Sequence, residues 1–237
     1  MSDIGTIMWK EWRGSLFQGG WRAWIRPGLF IAILGLAWPL LGKSAWMELS
    51  PIQVVVILFF AFMVVTSIIA DSIAGERERH TLETLLATRM PDRAILLGKV
   101  AVVVLYGWGV LVCGLFLGAI ACNLAYARGR ILLYPAGMLG FTVVLGLLID
   151  VLGAAMGVLI SMRTSTVRQA QQTVVICSVL LGVLVALLVQ FLVRQQAITA
   201  LGTTQILLLV GGLNAVVDVV LLAFGIKSFR RAKLMLT

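Results

Sequence analysis

Residues 52–74 read IQVVVILFFAFMVVTSIIADSIA, and this run carries a single charged side chain, Asp71. A helix needs about 20 apolar residues to cross the hydrocarbon core of a bilayer, so the run predicts a transmembrane helix. The rest of the chain has the same character, because 61% of its 237 residues are hydrophobic and 12% are charged. A soluble fold cannot bury so much apolar surface. The composition therefore excludes a soluble enzyme and a nucleic-acid-binding domain.

The chain contains six apolar runs, and each predicts a membrane span. They are residues 28–41, 52–74, 100–122, 131–160, 172–193 and 205–226. The first run is short and contains Pro39, whereas the fourth is long enough to be tilted or broken. Every backbone group must be hydrogen-bonded within lipid, so we expect all six runs to be helices. We predict an all-α membrane protein with one transmembrane domain over residues 1–237.

The 19 Lys and Arg residues predict the orientation of these spans. Fifteen lie in the N-terminal segment, the connections between spans two and three and between spans four and five, and the C-terminus. The other four lie on the opposite side. Basic residues are retained on the cytoplasmic side of membranes, so we expect both termini in the cytoplasm. This distribution explains the net charge of +9 without a nucleic-acid partner.

Residues 4–24 differ from the spans because apolar residues recur there at helical spacing. The repeat positions are Ile4, Met8, Trp12 and Leu16. Lys10 and Glu11 interrupt this apolar stripe. The pattern predicts an amphipathic helix that lies in the cytoplasmic interface, contacts membrane lipid and places Trp12 at head-group depth. A simple membrane anchor and a role in coupling to a partner both remain open.

The chain has few features of an active site. Gly42-Lys43-Ser44 resembles the end of a nucleotide-binding P-loop, but that pattern needs a Gly where Ala37 stands. His80 is the single His, and the three Cys residues form no CxxC pair. These facts argue against a metal site and against a Ser-His-Asp triad within the membrane. We predict no catalytic residue, no metal and no cofactor bound by this chain.

A highly charged segment follows the second span. Residues 71–91 read DSIAGERERHTLETLLATRMP. They predict a short helix that ends near Pro91. At 100° per residue, Glu76, His80 and Glu83 share one face and the leucines share the other. Such a helix suits docking to a partner, and a solvated helix with charge pairs four residues apart is the alternative.

This segment resembles the permease subunits of type-2 ATP-binding-cassette (ABC) exporters. Those sequences typically carry Ala-Gly-Glu-Arg-Glu-x-Gly-Thr-Leu-Glu-x-Leu-Leu, followed about a dozen residues later by Gly-Lys. The matching residues are Gly75, Glu76, Arg77, Glu78, Thr81, Leu82, Glu83, Leu85, Leu86, Gly98 and Lys99. The chain departs from the pattern at His80, where Gly is usual, and at Arg89-Met90-Pro91, where Thr-Pro is common. Lys10-Glu11 and residues 165–172 are weaker matches.

The resemblance implies a permease subunit of an ATP-driven exporter in a prokaryotic inner or plasma membrane. Two permease subunits, identical or related, would form the translocation path. Two cytoplasmic ABC ATPase subunits would bind ATP and Mg. Residues 75–99 would form the cytoplasmic coupling region between spans two and three. Its ATPase-coupling residues would be Gly75, Glu76, Arg77, Glu78, His80, Thr81, Glu83, Leu85 and Leu86.

Asp150, Asn214 and Asp218 are polar residues within the predicted spans. Charged groups there usually face a bundle interior or a water-filled path, so a substrate or ion site is one interpretation. Hydrogen bonding between helices is the other.

Two further functions stay open on the sequence alone. One is a secondary transporter or channel that works without an ATPase, although few ionisable residues lie within the spans and no inverted repeat is visible. The other is a non-transporting scaffold that recruits a cytoplasmic partner through residues 75–99.

Overall fold

The computed structural model describes residues 21–48, 51–78, 91–127, 129–164, 166–194 and 203–228, together with Gly5, Met8 and Trp9. Regular structure in this part of the chain is helical, and none of the described residues forms a strand. From residue 21 onward the α-helices are α1 (Trp21–Ala32), α2 (Trp38–Gly42), α3 (Pro51–Glu78), α4 (Asp92–Tyr126), α5 (Ala136–Ser161), α6 (Val167–Arg194) and α7 (Thr203–Ser228). The predicted all-α class is confirmed.

Four segments of the described residues are long and apolar enough to cross a membrane. They are Gln53–Gly75, Arg93–Tyr126, Ala136–Ser161 and Leu208–Ser228, which correspond to predicted spans two, three, four and six. The predicted first span lies on a shorter apolar segment, Pro27–Gly42. The predicted fifth span lies on α6, a helix of 28 residues. The full set of six spans therefore stays a prediction.

Several helix ends differ from the sequence-based boundaries. Residues 75–78 are the last turn of α3, and residues 92–99 are the first turns of α4, so both ends of the predicted coupling region continue the spans. Residues 79–90 lie outside the described residues, and the short charged helix expected there stays a prediction. Helix α5 begins only at Ala136, because Pro135 at its N-cap favours an extended conformation in the residue before it.

The N-terminal interfacial helix expected over residues 4–24 falls mostly outside the described residues. Residues 21–24, the last part of this predicted helix, instead form the first turn of α1. The rest of the interfacial helix stays a prediction.

The first apolar segment contains a π-helical turn, Ile33–Ala37, between α1 and α2. The Trp38 N–H donates to the Ile33 carbonyl five residues back. Pro39 helps to explain this turn, because its nitrogen cannot donate the usual α-helical hydrogen bond to the Gly35 carbonyl. A 3-10 helix, Lys43–Glu48, follows α2 and leads toward α3.

Helix α5 contacts four other helices, α3, α4, α6 and α7. Its glycines allow close approach. A Cβ atom added at Gly157 would overlap Ile69 on α3, and one at Gly153 would lie 3.0 Å from the Phe62 ring. The Gly153-x-x-x-Gly157 motif therefore forms a close helix contact, as its spacing predicts.

Two apolar cores lie toward opposite ends of the helix bundle. We name one end of the bundle the junction end, defined by Glu78, Asp92, Ser161 and Val167. The core nearer to it includes Val65, Ile69, Ile73, Ile95, Leu96, Val103 and Val158. The core toward the opposite end includes Leu34, Trp46, Ile57, Leu111, Leu115 and Leu145.

Candidate functional site

Glu78 joins two helices at the junction end. It is the last residue of α3, and its Oε2 atom accepts a hydrogen bond of 3.2 Å from the backbone N–H of Val167, the first residue of α6. The first N–H groups of a helix have no partner within that helix, and a carboxylate near them also interacts favourably with the helix dipole. The Glu78 side chain therefore links the end of α3 to the start of α6.

Small residues allow α3 and α6 to approach each other beside this hydrogen bond. Ala70, Ala74 and Ala170 are fully buried, and Val167 packs against them. A Cβ atom added at Gly75 would lie 3.5 Å from Val167 Cγ2, which is an ordinary contact distance. The two helices are thus packed through side chains as well as hydrogen-bonded.

Lys99 connects α4 to α3 at the same end. Its Nζ atom donates to the Ser72 hydroxyl at 2.9 Å and to the Ser72 carbonyl at 3.2 Å. The Lys99 side chain is only 2% exposed. A buried ammonium group needs hydrogen bonds to replace those it made with water. The junction end therefore holds α3, α4 and α6 together through Lys99 and Glu78.

The structure covers only part of the predicted ATPase-coupling set. Gly75, Glu76, Arg77 and Glu78 lie on the last turn of α3. Contacts are described for Gly75 and Glu78, which the structure brings next to α6. The other predicted positions lie outside the described residues: His80, Thr81, Glu83, Leu85, Leu86, Lys10, Glu11 and Trp12.

Of the three intramembrane candidates, Asp150 and Asp218 are buried and Asn214 is partly buried. Asp150 on α5 is 0% exposed, and Asp218 on α7 is 4% exposed. The four carboxyl oxygens of these two residues and Asn214 Oδ1 have no hydrogen-bond partner among the described residues. Asp150 faces α4, because a Cβ atom added at Gly107 would lie 3.1 Å from Asp150 Oδ2.

Asp150 and Asp218 lie in one layer of the helix bundle. Helices α5 and α7 pack together and run in the same direction, because Met162 just after α5 and Ile226 near the end of α7 both contact the junction-end core. A Cβ atom at Gly225 would lie 4.0 Å from Val158 Cγ1, which fixes their register. Two turns of a helix are about seven residues. Two turns before this contact, Asp218 on α7 is therefore level with Val151 on α5, the residue that follows Asp150.

No basic residue of the sequence can serve as a counter-ion from within the spans. Lys, Arg and His are absent from all six predicted runs. The described apolar segments include Arg93, Lys99 and Lys227, and all three lie toward the junction end. The middle layer therefore contains two acidic side chains and no basic side chain of the same spans.

A family model described as ABC-2 family transporter protein matches residues 49–210, which is more than half of the chain. The chain belongs to the ABC-2 transporter family. Comparisons with curated proteins and with solved structures found no match. The family match confirms the resemblance first drawn from the charged segment after span two. It identifies an ABC-2 type permease, a membrane transport component that works with an ABC ATPase.

The region matched in this ABC-2 permease contains much of the candidate site. It begins just before α3 and ends in the first turns of α7. Glu78, Lys99 and Asp150 lie inside the matched region, whereas Asn214 and Asp218 lie beyond it. The junction end is thus part of the family's shared region.

The opposite end of the permease is ordered by residues that were not predicted from the sequence. The Asn123 amide donates to the Leu132 carbonyl at 2.8 Å, and the Leu132 N–H donates back to Asn123 Oδ1 at 2.8 Å. The Tyr134 hydroxyl donates to the Leu115 carbonyl at 3.2 Å. An isolated Asn at the end of an apolar run is the one sequence signal for this contact, and it specifies no partner.

Proposed function

We propose that this chain is the membrane permease subunit of an ATP-driven ABC exporter. It forms the translocation path as a dimer with an identical or related permease, and it is coupled to two separate cytoplasmic ATPase subunits. Membership in the ABC-2 family supports this proposal. The contacts at the junction end support the coupling, because Glu78 and Lys99 link α3 to α6 and to α4 by hydrogen bonds.

Coupling follows from the position of the connection between α3 and α4. Residues 79–90 join these two helices, so a displacement of this connection acts on both of them through the chain. The hydrogen bond from Val167 to Glu78 passes the displacement on to α6. Closure of the ATPase pair on ATP would therefore move three helices as a body.

Packing determines how far this motion extends. Helices α3 and α4 contact α5 along apolar surfaces, and α5 in turn contacts α7. Packed cores change between discrete arrangements because their side chains interlock and compress little. A movement at the junction end would thus alternate access to a path between the two permeases. ATP and Mg would stay in the partner ATPase.

Co-purification with the ATPase tests this proposal. The permease would be co-expressed with a Walker-motif ATPase encoded beside it, purified and reconstituted into liposomes. We expect the two chains to purify together and the permease to change the rate of ATP hydrolysis. Glu83→Lys should abolish this change, whereas Glu48→Lys, the same charge reversal at an exposed position on the opposite side, should not.

Two results would contradict the proposal. If the ATPase does not purify with the permease, the interpretation as a non-transporting scaffold would be favoured. Liposomes that contain this chain alone and release trapped potassium or a fluorescent dye would favour a channel or a secondary transporter. An unchanged complex with Glu83→Lys would refute the assignment of residues 75–99 to coupling.

A further inference from the structure

The buried acidic layer at the middle of the bundle has no role in the coupling mechanism. We propose that Asp150 and Asp218 bind the positive charge of a hydrophobic cation, a substrate with one cationic group on an apolar body. This inference rests on the proposed exporter function and names its substrate class.

The two buried carboxyl groups have no counter-ion within the predicted apolar runs. Asp150 is 0% exposed and Asp218 is 4% exposed, and their carboxyl oxygens have no partner among the described residues. A polar group without a hydrogen bond is costly in an apolar interior, and acidic groups within membranes pair with other groups or mark a substrate path. The six predicted apolar runs contain no Lys, Arg or His, and Lys99 on α4 donates to Ser72 at the junction end. A cation from outside the chain is therefore a suitable partner.

A hydrogen bond between helices is the alternative, but no donor among the described residues bonds to Asp150. Thr66 on α3 contacts α5 one turn away, since a Cβ atom added at Gly153 would lie 3.3 Å from its methyl group. Its hydroxyl already donates to the Phe62 carbonyl of its own helix at 2.9 Å. The residue opposite Asp150 on α4 is Gly107, which has no side chain to donate.

The surroundings suit an apolar body around the charge. A Cβ atom added at Gly107 would overlap Val65 on α3, so α3, α4 and α5 meet at this point. Most of the buried side chains on these three helices are aliphatic. Two carboxyl groups in an apolar layer would select a ligand that offers both a charge and apolar surface.

Access to Asp150 requires helix movement, because its side chain is fully buried. Asp150 lies against α4 at Gly107, where an added Cβ atom would lie 3.1 Å from Asp150 Oδ2. Separation of α4 from α5 would expose the carboxyl group to the path. The proposed motion at the junction end acts on α4, so cation binding would be coupled to the ATPase cycle.

Binding of two ions of matched size tests the proposal. The probes are tetraphenylphosphonium and tetraphenylborate, which carry opposite charges on the same four phenyl groups. Binding would be measured by equilibrium dialysis with the full chain in lipid nanodiscs. We expect saturable binding of tetraphenylphosphonium, at least about tenfold tighter than that of tetraphenylborate, because opposite charges attract strongly at low dielectric.

Asparagine variants identify the groups responsible. Asp150→Asn and Asp218→Asn each remove one charge with little change in shape, and each should weaken tetraphenylphosphonium binding about tenfold or more. Glu48→Gln removes one charge from an exposed position outside the spans and should leave binding unchanged. If Asp150→Asn does not fold, Asp218→Asn and the charge-retaining Asp150→Glu decide the question.

Equal binding of the two ions, or unchanged cation binding in both asparagine variants, would overturn the cation site. This assay contains neither ATPase nor ATP. If the cation does not bind as expected while the ATPase still purifies with the permease, the cation site alone is refuted. Loss of ATPase association with intact cation binding refutes the exporter proposal alone.

Discussion

The replacement Gly35→Ala tests how tightly the first apolar segment packs against α4. A Cβ atom at this position would lie 2.6 Å from Leu117 Cβ and 3.2 Å from the Gly114 carbonyl oxygen. Ordinary contacts of this kind are about 3.5–4.0 Å, so the added methyl group overlaps Leu117 by roughly 1 Å. Leu117 Cβ is fixed to its backbone and cannot rotate away. The two helical segments must separate.

Overpacking of this kind costs about 1–3 kcal/mol. The same change also removes a glycine from a helical segment, which stabilises the fold by about 0.5–1 kcal/mol. Gly28→Ala supplies the control, because its added Cβ would have nothing within 4 Å. The helix-propensity gain is common to both variants, and their difference isolates the packing cost.

Unfolding by sodium dodecyl sulfate, followed by tryptophan fluorescence and circular dichroism, would measure both variants. Gly35→Ala should be less stable than Gly28→Ala by about 1–3 kcal/mol. Equal free energies of unfolding would refute the close contact between the π-helical turn and α4.

Three other predictions concern packing and buried hydrogen bonds. Lys99→Met should lower the free energy of unfolding by about 1.5–3 kcal/mol, because two hydrogen bonds from a charged donor are lost; an unchanged unfolding curve would contradict their role. Asn123→Ala should cost about 1–3 kcal/mol and speed limited proteolysis of the connection after α4, since a partly buried backbone donor and acceptor lose their partners; unchanged cleavage rates would count against it. Gly107→Ala should destabilise the chain by about 1–3 kcal/mol, whereas Gly109→Ala, which has open space around it, should stabilise it slightly; similar effects would disprove the contact.

Sequence alone predicted the fold class and four of the apolar helices, because continuous apolar runs without charge leave few alternatives to membrane helices. It also predicted the family from the charged segment after span two. The match over residues 49–210 confirms that prediction. Both successes rest on signals that lie within contiguous stretches of the chain.

The contacts of the site were not predictable in the same way. The family resemblance places Glu78 in the coupling region, but nothing in the sequence pairs it with Val167, which begins another helix. Lys99 matched the family pattern, but nothing in the sequence pairs it with Ser72. Such pairs depend on the register between helices. Many combinations of apolar side chains can set that register, and a single sequence does not reveal which is used.

We propose that motion at the connection between α3 and α4 reaches α6 through Glu78. The most direct test of this proposal is the rate of ATP hydrolysis by the reconstituted complex with Glu78→Ala and Glu78→Gln. Gln keeps an oxygen that can accept from the Val167 N–H, and Ala does not. We expect Glu78→Ala to reduce the effect of the permease on ATP hydrolysis about two- to fivefold, as expected for loss of one helix-capping contact, while Glu78→Gln stays near wild type. Equal rates for Glu78→Ala and wild type would contradict the proposal.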